Sequence, residues 1–97
     1  MNTVINGKNV NIKPIDFEAI CELEDLGFDI HTISKKTFSN IRTAVAFHMG
    51  LSLSEASAEI EGHIKNGGKI DAFVPLIEAI TNSDFFQAIT QNAESEE

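Results

Sequence analysis

The hydrophobic pattern opens with two short runs, Val4-Ile5 and Val10-Asn11-Ile12, on either side of Asn6-Gly7. Asn-Gly between such runs signals a hairpin, because a type I′ turn needs positive φ at both central residues. Pro14 ends the second strand and redirects the chain. The pattern then becomes helical. Asp16 is a candidate N-cap for a helix that Gly27 closes, with Ala19, Ile20, Leu23 and Leu26 on one stripe and Glu18, Glu22 and Asp25 facing away.

Between 28 and 38 the period is ambiguous. Phe28, Ile30, Ile33 and Phe38 call for burial, so the stretch reads as a structured connection with a short helical turn. A second helix is expected from about Ser39 to Met49, with Ile41, Ala44, Val45 and Phe47 apolar and Gly50 as its stop. Ser52-Leu53-Ser54-Glu55 is a capping box, and it starts a third helix through Leu53, Ala56, Ile60 and Ile64 that Gly67-Gly68 ends. A fourth begins near Asp71, since Pro75 costs least in a first turn, and turns Phe73, Val74, Ile77 and Ile80 inward. Ser83 caps a short fifth helix with Phe85, Phe86 and Ile89. The expected fold is mainly α, an N-terminal β-hairpin followed by four to five short helices in one small domain over 1–91. Residues 92–97 form an acidic tail expected to be disordered.

Charge changes the picture. Residues 1–49 carry five Lys/Arg against six Asp/Glu, and residues 50–97 carry two against nine, so most of the net −8 lies in the second half. A field of that sign repels phosphate backbones and anionic membrane surfaces, which argues against nucleic-acid and membrane partners. It is compatible with a basic or apolar protein partner. No signal peptide or apolar run of membrane-spanning length is visible, and Cys21 has no second cysteine to pair with, so a cytoplasmic protein is expected.

Candidate chemistry is sparse. Asn66-Gly67-Gly68-Lys69-Ile70-Asp71 lacks the alternating oxygen ligands of a calcium loop and reads as a helix stop. His31, His48 and His63 have no His or Cys three or four residues away, so no metal site is expected. Glu59 and His63 read as a surface pair, and His48 as a partly buried histidine with one hydrogen-bond partner. Carboxylates around Cys21 at 18, 22, 24 and 25 would raise its pKa and leave it inert. No catalytic residue, cofactor or metal ligand is expected, and the chain does not read as an enzyme. In Asp84-Phe85-Phe86 the two rings point about 100° apart on a helix. Either that helix is buried on a wide face, or one ring is turned outward as a docking surface.

The hairpin VINGKNVNI, the helix FEAICELEDLG, the stretch IRTAVAFHMGLSLSEASAEIEGHIKNGG and the closing helix with DFFQAI together resemble the tail assembly chaperones of long-tailed bacteriophages and of prophages in Gram-positive bacteria. The likeness spans about residues 3–90 and is one of pattern rather than catalytic signature. It implies a protein that acts in the host cytoplasm and is absent from the mature virion. Its client would be the tape-measure protein, kept soluble while the tail tube assembles; in this family a longer frameshifted form is frequent. On that reading Phe85, Phe86 and Ile89 are candidates for client contact, with the Glu55, Glu59 and Glu61 face contributing electrostatically. The hairpin packs one face, with Val4 and Val10 or Ile12, on the helices, and its free edge at Val4, Val10 and Ile12 is a candidate seam for a homo-oligomer. The competing expectation is a small acidic inhibitor or regulator of phage or prophage origin, held to a basic surface of its partner.

Overall fold

The computed structural model describes residues 2–29, 35 and 37–88. Strands β1 (Asn2–Ile5) and β2 (Lys8–Asn11) pair antiparallel, with Thr3 opposite Val10 and Ile5 opposite Lys8. Asn6 and Gly7 turn the chain with φ of 53° and 76°, the left-handed pair that the I′ turn demands. The pleat sends Thr3, Ile5, Lys8 and Val10 to one face. Ile5 and Val10 on that face are buried, whereas Val4 on the other is 51% exposed. Val4 therefore does not pack on the helices. The one-residue alternation of the strand gives that place to Ile5, with Ile12 half-buried beside the core.

Helix α1 (Phe17–Leu26) starts at Asp16, whose carboxylate accepts the Ala19 N–H at 2.9 Å. Gly27 closes it in the left-handed region at φ 104°, and the N–H of Phe28 returns to the Leu23 carbonyl. Ala19 and Leu23 are buried and Glu18, Glu22 and Asp25 exposed, as the pattern requires.

Helix α2 (Thr37–Met49) is the centre of the domain, in contact with β2, α1, α3 and α4. Eight of its residues are buried, among them Asn40, Thr43 and His48, so no narrow stripe separates its inside from its outside. Helix α3 (Leu53–Lys65) carries the capping box in full: Glu55 N–H to Ser52 Oγ at 3.1 Å, and Ser52 N–H to Glu55 Oε1 at 3.0 Å. Hydrogen bonding to its carboxylate, from the Ser52 backbone N–H first and the Ser52 side chain second, holds the Glu55 carboxyl below its ordinary range. At the other end Gly68 N–H returns to His63 O and Gly67 N–H to Ile64 O, a Schellman stop. Ile64, on the apolar stripe expected of α3, is 43% exposed.

A 3₁₀ turn (Ile70–Phe73) leads directly into α4 (Val74–Thr81), with Pro75 in the first α-helical turn. The α-helix thus begins later than the sequence pattern suggests. Leu76 rather than Val74 takes the inward place beside Phe73 and Ile80: Leu76 is fully buried and Val74 is 44% exposed. The 3₁₀ turn has three residues per turn rather than 3.6, which rotates everything after it. Ser83 caps α5, helical over residues 84–88, through a 3.2 Å bond from the Phe86 N–H. The acidic tail, Ile30, His31, Ile33 and Ile89 lie outside the described residues.

Candidate functional site

Two histidines join the N-terminal segment to the helices. His63 Nδ1 accepts the Asn6 N–H at 2.8 Å and Nε2–H donates to the Lys69 carbonyl at 2.9 Å, while its ring meets Phe73 edge-on. His48 repeats the arrangement: Nδ1 accepts the Lys13 N–H at 3.1 Å and Nε2–H points to the Leu76 carbonyl at 3.3 Å. In both, an acceptor at Nδ1 and a donor at Nε2 require the neutral Nε2–H tautomer. Burial brings the His48 pKa down to about 4; the Leu76 bond opposes this and the nearby Lys13 charge adds to it. His48 thus has two partners, not one. His63 is buried rather than paired with Glu59 at the surface, because the hairpin turn sits over it.

Glu59 faces the same turn. Its carboxylate takes Lys8 Nζ at 2.6 Å and Asn6 Nδ2 at 3.1 Å, and these bonds lower its pKa, that from Lys8 most. Glu55 is occupied in the α3 cap, and Glu61 is exposed near Lys65 at 3.9 Å. Glu59 and Glu61 stand about 200° apart around the helix. The three carboxylates therefore do not form one face. Among the described residues no cluster of three His, Cys, Asp or Glu side chains offers a metal site. Partial burial, then the charges of Glu18, Glu24 and Asp25, push the Cys21 thiol up, away from nucleophilic chemistry.

The Phe85-Phe86 pair divides its roles. Phe86 packs against the core, whereas Phe85 meets Phe17 edge-on at 5.7 Å between centroids. Phe17 is itself 61% exposed. Of the hairpin residues, Val10 is in the core, so Val4 is the one of Val4, Val10 and Ile12 whose side chain is turned well outward.

The most exposed large apolar side chain among the described residues lies elsewhere, on the first turn of α2. Phe38 is 71% exposed beside Ile60 of α3, and Ile64 follows one turn on. On the other flank of α2 a cleft of about 230 Å³ opens between Ile41, Ile70, Phe73, Val74 and Ile77, with Asn40 and Glu78 on its walls. Asn40 is buried, and its Oδ1 accepts the Asp29 N–H at 3.3 Å, but among the described residues its Nδ2 has no partner. A buried amide donor without an acceptor is uncommon in a folded protein.

Compared with known protein families, curated proteins and solved structures, the chain matches none. Sequence periodicity missed the cleft, because Asn40 occupies a polar position in a helix whose surroundings are tertiary. The one available signal was Ile70 and Val74, apolar residues four apart just before Pro75, one in the 3₁₀ turn and one at the start of α4. No described helix is long and apolar enough to cross a membrane.

Proposed function

We propose that this chain is a non-catalytic phage tail assembly chaperone that binds the tape-measure protein and keeps it soluble in the host cytoplasm during tail-tube assembly. The observation that carries this reading is the apolar end of the domain. Phe38 on α2, Ile64 on α3, Ile70 in the 3₁₀ turn and Val74 at the start of α4 all stand more than 40% exposed. A domain this small has little apolar surface to spare from its own core, and large apolar side chains left in water suit contact with a partner. The pattern of hairpin and capped helices seen in the sequence, and the acidic second half, which keeps copies apart and attracts basic client segments, support the same conclusion.

The test is co-expression with the product of the neighbouring long, helix-rich reading frame. The long protein should become soluble in company and elute bound to this chain. Its remaining insoluble in the presence of a folded, abundant partner would overturn the reading.

A further inference from the structure

We propose that the groove between the N-terminal half of α2 and the middle of α3 docks an acidic, apolar segment of a protein partner, with Arg42 taking a carboxylate and Phe38 and Ile60 the adjoining apolar side chain. The proposal rests on the chaperone reading only in taking that partner to be the client.

The sequence already sets this region apart. Between Asp29 and Glu55 the chain carries Lys35, Lys36 and Arg42 and no carboxylate, although it holds 15 Asp and Glu in all. Arg42 is its sole arginine. The first turn of α2 has no acidic residue to offset the positive end of the helix dipole. A chain of net −8 thus keeps one stretch of the opposite sign.

The fold presents that charge in a groove of about 250 Å³, walled by Phe38, Ser39 and Arg42 of α2 and by Ser57 and Ile60 of α3. Arg42 is the one charged side chain on those walls. Lys8 and Lys65 are paired with Glu59 and Glu61, but among the described residues no carboxylate lies within ion-pair reach of Arg42. Its Nε is the guanidinium nitrogen buried without an acceptor, so the terminal nitrogens are the ones that an incoming carboxylate meets. Phe38 precedes Arg42 by one turn on the same face and is 71% exposed. An arginine beside a large aromatic ring is the composition of an interface hot spot.

Charge and shape together select the occupant. A nucleic-acid backbone meets the net −8 beyond the groove, and a second copy of the chain brings the same charge. A bare phosphate leaves Phe38 and Ile60 uncovered. A protein segment with one carboxylate three or four residues from a large apolar side chain on a helix answers both halves of the groove. The carboxylate gains charge-assisted hydrogen bonds from Arg42, and the apolar group leaves water against Phe38 and Ile60.

The experiment is a titration of the ¹⁵N-labelled full chain with a blocked Leu-Ala-Ala-Glu peptide, with the same peptide carrying Gln in place of Glu as its neutral counterpart. The acidic peptide should give saturable shifts of the Arg42 Nε–H and of the Phe38, Ser57 and Ile60 amides. The neutral one should bind at least fivefold more weakly. Phe38→Ala, a change at an exposed position, should keep the dispersed spectrum of the folded protein and weaken the acidic peptide at least threefold. Arg42→Gln should bring the two peptides to equal affinity. Equal affinity for the natural chain, no saturation at Arg42, or shifts confined to the Phe17–Phe85 region would overturn the proposal. So would sodium phosphate moving the same resonances as strongly, which marks a bare anion site, or self-association of the free chain that Arg42→Gln abolishes. The titration needs no client. Saturation at Arg42 together with an insoluble long protein on co-expression would retain the groove and reject the chaperone reading.

Discussion

His63 holds the tip of the hairpin: its Nδ1 accepts the backbone N–H of Asn6 at 2.8 Å, across 57 residues of chain. A two-stranded hairpin is marginal alone. This one is secured at its turn by His63 and just beyond its second strand by His48, which takes the Lys13 N–H. Ile5 and Val10 supply the burial between them.

Replacing His63 by Ala removes the acceptor for Asn6 and the donor for Lys69, leaving both backbone groups short of a partner. The expected loss is about 2–4 kcal/mol of unfolding free energy, read from urea denaturation. Amide exchange at Ile5 and Lys8 should accelerate more than in α2. Equal acceleration in both would contradict the anchoring role.

Gly68 lies against the His63 ring so closely that an added Cβ would overlap it. The ring is held by two hydrogen bonds and cannot swing aside cheaply. Gly68→Ala should therefore cost about 1–3 kcal/mol in the natural background. In a His63→Ala background it should cost less than half as much, and a double-mutant cycle measures the difference.

Acid should destabilise the protein through His48. Its folded pKa, about 4, lies below the ordinary 6.5. The unfolded chain therefore takes up a proton from about pH 6.5 downward while the folded chain does not, and stability falls over that window down to about pH 4. The contribution of this one group is about 2–3 kcal/mol. His48→Gln should flatten the fall when urea midpoints are compared between pH 7 and 4.5.

Phe85 and Phe86, adjacent in sequence, should separate in experiment. Phe86 packs against the core, so Phe86→Ala should cost about 2–3 kcal/mol. Phe85 contributes an edge-on contact with an exposed ring, and Phe85→Ala should cost about 1 kcal/mol. Equal losses on thermal or urea unfolding would mean that both rings are core.

Much of the architecture was legible without a structure, wherever a single local interaction decides the backbone. Asn6-Gly7, Asp16, Ser52 with Glu55, Gly67 and Ser83 each act within a few residues, and each stands where local chemistry places it. The stripe on α1 was equally plain, since α1 has one wet face and one dry face. Where a helix is surrounded, as α2 is, the periodic signal is lost, and neither the burial of Asn40 nor that of His48 could be assigned their partners from spacing.

The chain alone determined the hairpin, the order of the helices, their caps and the strongly acidic second half, because these depend on neighbours in sequence or on a sum over it. Only the tertiary structure decided that Val4 faces out and Ile5 in, that Leu76 replaces Val74 in the core, and that Glu59 serves the hairpin rather than His63. It alone placed the unpartnered amide of Asn40 beside an apolar cleft. The physical reason is the same in each case. A one-residue shift in a strand, or a single 3₁₀ turn before a helix, reverses or rotates a whole face at little local cost, and only packing against distant residues selects between the outcomes.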